Sequence, residues 1–239
     1  MKTLRTRTSH VLTVVLMLLG VMTAATAQAQ AAPQRLAAST TICSNSPIPA
    51  GWVVTSSYSS WGCPGTGVSY TITDTAGQTN LTICSFSPKP AGWVVTSSYS
   101  SSNCAGSGVA YGFHNVANDT NVGVCSMSPI PTGWVITSSY SSSNCAGTGV
   151  AYSLHNVAND TSAGACSMTP IPAGWVVTSS YSSSNCVGTG VAYTLFKITT
   201  QTSAVVCSFS PLPAGWVVSS YYPSSNCYGS GVAYSIRKA

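Results

Sequence analysis

Apolar and polar residues alternate along this chain in short runs, and the stretch around Cys125 shows the pattern well. One run covers residues 122–126, a second covers 134–140 and a third covers 150–154. β-Branched and aromatic residues, which favour strands, are frequent in these runs. Alternation over the second run places Trp134 and Tyr140 on one face of a strand. No part of the sequence keeps a helical period, so the pattern predicts three strands in this stretch and an all-β fold.

The segments between these runs have the residues of loops and turns. Pro129 and Pro131 separate the first two runs, where they hold the backbone extended and remove two hydrogen-bond donors. Residues 141–149 are small and polar with two glycines, and 155–161 contain the Asn and Asp typical of a polar turn. We therefore predict an antiparallel meander, in which strands that are consecutive in the sequence pair with each other.

The same pattern occurs five times with a period of 41 residues, which indicates a tandem repeat. A unit of this size is too small and too one-sided to bury a core alone, so it must depend on its neighbours and on covalent links. The predicted repeats are 41–81, 82–122, 123–163, 164–204 and 205–239, after a linker over 28–40.

Two architectures would let such units bury a core. The repeats could form an open, elongated array, or they could close into a ring like a small five-bladed β-propeller. Ring closure often shares one strand between the first and last units. This chain instead starts and stops in phase, which favours the open array.

The cysteines keep the period of the repeats, with gaps that alternate between 20 and 21 residues. Ten cysteines with this spacing indicate disulfides in a chain that reaches an oxidising compartment, which the first residues predict (see below). The repetition leaves two regular pairings: within each unit, or between each unit and the next. The second pairing leaves Cys43 and Cys227 unpaired unless they close a ring, so we favour the first. It predicts the bonds Cys43–Cys63, Cys84–Cys104, Cys125–Cys145, Cys166–Cys186 and Cys207–Cys227. Each such loop contributes about 3 kcal/mol to stability.

The first residues have the composition of a secretory signal peptide. Lys2, Arg5 and Arg7 precede an apolar run over 11–21, and small residues follow in A-x-A patterns. The apolar run is too short to span a bilayer, which takes roughly 20 residues. We predict a signal peptide over 1–27, with cleavage as late as 31, and export to the extracellular space, the periplasm or the cell surface without stable membrane insertion.

Charge is scarce after the predicted cleavage site. The chain has a formal net charge of +5, but residues 28–239 contain only five basic and three acidic side chains, a net charge of +2. The basic balance therefore comes mostly from the leader and does not indicate a nucleic-acid partner. Ser, Thr, Asn and Gly must keep the surface hydrated, and little electrostatic repulsion opposes self-association.

Aromatic residues recur at fixed positions in every repeat. One row consists of Trp52, Trp93, Trp134, Trp175 and Trp216, and another, six positions further on, consists of Tyr58, Tyr99, Tyr140, Tyr181 and Tyr222. These residues can stack on sugar rings or form the core, and the size of Trp favours the core. The question stays open for a second tyrosine row, which consists of Tyr70, Tyr111, Tyr152, Tyr193 and Tyr234. Trp61 is found only in the first repeat and is expected to be exposed. The candidate ligand-binding residues are Trp61, Tyr70, Tyr111, Tyr152, Tyr193 and Tyr234.

Two adjacent repeats share the phrase HNVANDT, which contains His114 and Asp119 in one and His155 and Asp160 in the other. One His and one Asp are too few to hold a metal unless two such turns converge. No C-x-x-C pair is present either, which argues against zinc. We interpret the Asn-Asp pairs as turn residues that bond to the backbone, and we predict no metal and no cofactor.

Catalytic residues are not evident in this sequence. No serine stands in a G-x-S-x-G context, and the chain has no Glu and only three Asp. Most hydrolytic mechanisms need more titratable groups than this. We predict a secreted, non-enzymatic repeat protein with a binding, adhesive or structural role at the cell surface or in the extracellular matrix. The partners expected are a glycan or cell-surface polymer, or further copies of the chain, and the alternative function is a lectin-like carbohydrate binder with one site per repeat.

Overall fold

A computed structural model describes residues 38–239, and all regular elements in this range are β-strands. The predicted signal peptide over 1–27 and most of the predicted linker lie outside the described residues. The strands form five separate three-stranded antiparallel sheets, one per repeat. The predicted all-β repeat fold is confirmed.

Each repeat contributes three strands of constant length. The first strands, which end at a cysteine, are β1 (Ser39–Cys43), β4 (Asn80–Cys84), β7 (Asn121–Cys125), β10 (Ser162–Cys166) and β13 (Ser203–Cys207). The second strands, which begin at the tryptophan, are β2 (Trp52–Ser59), β5 (Trp93–Ser100), β8 (Trp134–Ser141), β11 (Trp175–Ser182) and β14 (Trp216–Pro223). The third strands are β3 (Val68–Asp74), β6 (Val109–Asn115), β9 (Val150–Asn156), β12 (Val191–Lys197) and β15 (Val232–Lys238).

The third strand of each repeat is the central one. In the third repeat the order is β7-β9-β8, so β9 pairs antiparallel with both of its neighbours and the other two strands are edges. The predicted meander order is therefore wrong. Alternation shows which residues form strands but not which strands pair. The Pro-containing segment 126–133 crosses the end of the central strand, a span of two strand spacings or about 10 Å.

A β-bulge in the second strand of each repeat changes which residues share a face. In β8 the pairing with β9 shifts between Ile136 and Ser138, so Thr137 is an extra residue. One inserted residue reverses the alternation that follows it. Trp134 therefore shares a face with Tyr152, whereas Tyr140 lies on the opposite face, and the prediction that Trp134 and Tyr140 share a face is wrong.

The hydrophobic core lies between repeats as much as within them. Around the third repeat, Trp134 and Leu154 pack with Val94 of the second repeat and with the Cys166–Cys186 disulfide of the fourth. The tryptophans of repeats 2–4 are 3–4% exposed, so their interpretation as core residues is confirmed. Because each disulfide after the first lies against the preceding sheet, a repeat completes the core of its neighbour.

Successive repeats are joined in the same way four times. The second strand of one repeat lies beside the first strand of the next, in the pairs β2/β4, β5/β7, β8/β10 and β11/β13. Hydrogen bonds cross each junction: between repeats 2 and 3, Val95 N–H donates to Ser128 Oγ at 2.8 Å and Ser98 N–H donates to the Asn144 carbonyl oxygen at 2.8 Å. Within residues 38–239, no strand of the first repeat contacts a strand of the last. The predicted open, elongated array is confirmed, and the ring alternative is wrong.

Candidate functional site

Five disulfides connect the cysteines, each within one repeat as the spacing predicts. Each bond ties the end of a first strand to the loop between the second and third strands. All ten cysteines are paired. Structural disulfides persist in oxidising compartments, so this set fits an extracellular environment.

The first tyrosine row is a regular exposed feature of the array. Its members, Tyr58, Tyr99, Tyr140, Tyr181 and Tyr222, are each 39–48% exposed. They lie on the sheet face opposite the tryptophans because of the bulge. This row was not among the predicted ligand-binding residues, because alternation placed it with the core. The fixed period was the only sequence signal that could have identified it.

The second tyrosine row is half-buried in every repeat. These residues lie on the same face as the tryptophans, and those of repeats 1–4 pack at the edge of the junction with the next repeat. The ring of Tyr70 lies 5.3 Å from that of Phe86, and the ring of Tyr193 lies 5.3 Å from that of Phe209. Each pair joins two successive repeats. The second row is therefore neither plain core nor a set of free platforms, since Tyr70 and Tyr193 each contact an aromatic ring of the following repeat.

Trp61 lies in the loop between β2 and β3 and is fully exposed, as expected from its unique position. It lines a surface cleft of about 630 Å³ with Pro64 and with Ser and Gly residues of the same loop. In the other four repeats the position of Trp61 is occupied by a serine. The structure does not bring Trp61 together with any of the five candidate tyrosines.

The His-Asp pairs form compact polar clusters rather than backbone-bonded turns. The His114 ring lies 2.5 Å from Asp119 Oδ2 through Nε2 and 2.7 Å from Asn80 Oδ1 through Nδ1. His155, Asp160 and Asn121 repeat the arrangement at 2.6 and 2.8 Å. The interpretation of the Asp residues as turn formers is wrong, because the strand continues to residue 115 and brings His114 within reach of Asp119. The turn is instead held by the Ala117 N–H, which donates to Asn115 Oδ1.

The asparagine partners were missed by sequence reasoning. Asn80 and His114 are opposite each other on neighbouring strands, a pairing that only the correct strand order reveals. No three side chains of His, Cys, Asp or Glu within the described residues come together as a metal site. Each cluster is a local structural feature shared by repeats 2 and 3.

Comparison with known proteins finds no matching family model, no matching curated protein and no matching solved structure. In the described part of the chain, no helix has the length and apolar character needed to cross a bilayer. The features that bear on function are therefore the exposed tyrosine row and the aromatic residues at the junctions between repeats.

One surface cleft lies between two repeats and is lined by three aromatic side chains. It lies between the fourth and fifth repeats, has a volume of about 390 Å³, and is lined by Ser167, Val191, Tyr193, Phe209, Tyr228, Gly229 and Ser230. Tyr193 is the only predicted ligand-binding residue in it. Tyr228 was not a candidate, because its position is occupied by Ala or Val in the other disulfide loops of repeats 2–4 and no local pattern identifies it.

Proposed function

We propose that this protein is exported and that it binds or assembles at the cell surface or in the extracellular matrix, without catalysis, through a surface repeated five times. The exposed tyrosine row is the observation that supports this proposal. The same side chain occurs at the same place in each sheet, with nearly the same exposure. Five weak contacts at fixed spacing add up to strong binding, because every contact after the first is intramolecular.

The sparse charge supports the same proposal. Residues 38–239 contain four basic and three acidic side chains, so the surface is dominated by hydroxyl, amide and aromatic groups. Such a surface suits a neutral polymer or another copy of the chain better than a charged partner. The five disulfides keep this lightly charged chain in one shape outside the cell.

Stepwise removal of the row tests this proposal. The mature, oxidised protein is applied to intact cells of the source organism, and self-association is followed by analytical ultracentrifugation. Tyr140→Ser, then the double variant with Tyr99→Ser, then the triple variant with Tyr181→Ser, should lower retention or self-association by a similar factor at each step. Tyr221→Ser removes an exposed tyrosine outside the row and should leave both unchanged. A triple variant that behaves like the parent protein in both measurements would contradict the proposal.

The second candidate function is carbohydrate binding of the lectin type. The paired aromatic rings Tyr70/Phe86 and Tyr193/Phe209 favour it, because partly exposed aromatic faces beside hydroxyl groups are suited to sugar rings. A glycan array probed with the oxidised protein tests this function. Absence of any glycan hit would eliminate it.

Export has its own test. Material recovered outside the cell should begin between residues 28 and 32 when its N-terminus is sequenced, if the predicted signal peptide is removed. Recovery of an intact N-terminus from the cell interior, with reduced cysteines, would contradict both export and the proposed role.

A further inference from the structure

The cleft between repeats 4 and 5 combines three aromatic side chains. Tyr193 belongs to β12 of the fourth repeat, Phe209 follows β13 of the fifth, and Tyr228 lies in the disulfide loop of the fifth. The rings of Tyr193 and Phe209 are tilted by 31° with their centroids 5.3 Å apart. Tyr228 is 56% exposed, so its ring is available to a ligand.

Hydrogen bonds to the fourth repeat hold Tyr228 at this position. Its N–H donates to the Ser180 carbonyl oxygen at 3.4 Å, and its own carbonyl oxygen accepts from Ser180 Oγ at 2.9 Å. The backbone of this residue is thus fixed by the junction itself. A binding surface that is already in place before the ligand arrives costs less ordering entropy on binding.

The polar groups of this cleft are uncharged. The side-chain hydroxyls of Ser167, Tyr193 and Tyr228 make no hydrogen bond to another residue of the described chain. They can therefore donate to and accept from a ligand. None of the seven lining residues is acidic or basic. The volume of about 390 Å³ lies in the range of small-molecule sites, roughly 300–1,000 Å³.

The junction between repeats 1 and 2 provides an internal comparison. Its corresponding residues are Ser44, Val68, Tyr70, Phe86, Ala105, Gly106 and Ser107. Six of these seven are identical to the residues of the cleft between repeats 4 and 5, and the seventh is Ala105 in place of Tyr228. The Tyr70–Phe86 ring distance is also 5.3 Å. A single side chain therefore distinguishes the two clefts.

We propose that the cleft between repeats 4 and 5 binds a sugar ring of a neutral carbohydrate chain, and that Tyr228 makes it a site. The aromatic rings cover the apolar C–H face of the sugar, and the unpaired hydroxyls bond to its hydroxyl groups. The inference rests on the carbohydrate-binding candidate above and narrows it from one site per repeat to one site in the chain. An anionic sugar is disfavoured because the lining offers no basic side chain.

Isothermal titration calorimetry of the mature, oxidised protein tests this inference. The probes are the neutral hexasaccharides cellohexaose, laminarihexaose, chitohexaose and mannohexaose, with hexagalacturonate as the anionic control. At least one neutral probe should bind with a stoichiometry of one. Tyr228→Ala should weaken that binding by at least about tenfold, because one stacking surface is lost, whereas Tyr228→Phe should keep most of it.

The matched variant is Ala105→Tyr. It gives the junction between repeats 1 and 2 the same lining residues as the cleft between repeats 4 and 5. It should raise the stoichiometry from one to two. Folding of Tyr228→Ala is secured by the natural alanines at 105 and 146, which occupy the same loop position in repeats 2 and 3. Circular dichroism checks each variant.

The possible failures are distinguishable. If no neutral probe binds the parent protein at millimolar concentration, both the carbohydrate candidate and this site are refuted. If Tyr228→Ala binds as tightly as the parent, only the assignment to this cleft is refuted. Tighter binding of hexagalacturonate than of every neutral probe would overturn the ligand class. A stoichiometry of one for Ala105→Tyr would overturn the claim that Tyr228 alone distinguishes the clefts.

Discussion

β5 and β14 begin with the same residues, Trp-Val-Val, yet one strand is buried and the other is exposed. Val94 and Val95 are completely buried, whereas Val217 and Val218 are 39% and 41% exposed. The third repeat covers β5, whereas β15 is the only strand of residues 38–239 that contacts β14. Burial of this strand is therefore a property of the junction and not of the repeat that contributes the strand. This is the nearest-neighbour stability expected of a repeat array.

The sequence of the second strand also changes in the fifth repeat, where this strand is exposed. In repeats 1–4 a serine two residues after the bulge (Ser57, Ser98, Ser139, Ser180) is 2–4% exposed and bonds to the next repeat. In the fifth repeat this position is Tyr221, which is 76% exposed, and the strand ends with Pro223. A tyrosine ring does not fit under a following disulfide loop, and proline lacks a donor for strand pairing. The second strand of the fifth repeat therefore lacks the residues that form the junction in repeats 1–4.

The largest difference between a covered and an uncovered repeat should appear when a disulfide is removed. The double substitution Cys84→Ser with Cys104→Ser should lower the free energy of unfolding by about 3 kcal/mol through the loop alone. It should lower it further because both cysteines are buried against Val54 and Ile72 of the first repeat. Denaturant unfolding followed by circular dichroism measures the change.

The control is the double substitution Cys43→Ser with Cys63→Ser. It opens a loop of the same length, 20 residues, and among the described residues this disulfide does not belong to the core of another repeat. This variant should lose only about 3 kcal/mol of unfolding free energy, the contribution of the loop, because the disulfide does not pack against another repeat. An equal or larger loss than in the variant of Cys84 and Cys104 would show that the disulfides do not complete the neighbouring core.

Sequence reasoning reached the features that depend on local pattern. The three strands around Cys125, the pairing Cys125–Cys145, the burial of Trp134 and the exposure of Trp61 follow from alternation, spacing or uniqueness. The features that depend on strand pairing, such as the strand order and the bulge, were not predicted correctly. Thr137 resembles an ordinary strand residue, and only the register with β9 shows that it is an extra one.

The candidate site was predictable to a smaller extent for the same reason. The cleft between repeats 4 and 5 joins Tyr193 to Phe209 and Tyr228, which belong to a different repeat. Sequence comparison within one repeat cannot reveal a site that two repeats share. The prediction named Tyr193 from its row but had no basis for naming its partners.

The next largest effect on stability should come from exchanging serine and tyrosine at the position two residues after the bulge, which is Ser180 in the fourth repeat and Tyr221 in the fifth. Ser180→Tyr places a ring where the Tyr228 backbone now accepts and donates hydrogen bonds. Overpacking of this kind should lower the free energy of unfolding by about 2 kcal/mol. It should also raise hydrogen exchange in β13–β15, because the fifth repeat loses its support.

The reciprocal variant Tyr221→Ser changes a residue that is 76% exposed. Its free energy of unfolding should stay within about 0.5 kcal/mol of the parent value. Hydrogen exchange measured by mass spectrometry compares the two variants in one experiment. Equal effects of Ser180→Tyr and Tyr221→Ser would mean that the two strands do not differ in the way their exposure indicates.

The smallest effect should come from a single hydroxyl that links two repeats. Ser128 is buried, and its Oγ accepts a hydrogen bond from Val95 N–H at 2.8 Å. Ser128→Ala leaves this buried donor without its partner, which should lower the free energy of unfolding by about 1.5 kcal/mol. Ser128→Thr should restore stability, because Thr169 makes the same bond to Ile136 N–H at the next junction. Ser46→Ala, at the corresponding position of the first repeat, removes no such bond and should change stability by less than about 0.5 kcal/mol. If Ser46→Ala and Ser128→Ala were equally destabilising, the loss would come from the repeat itself and not from its contact with the preceding one.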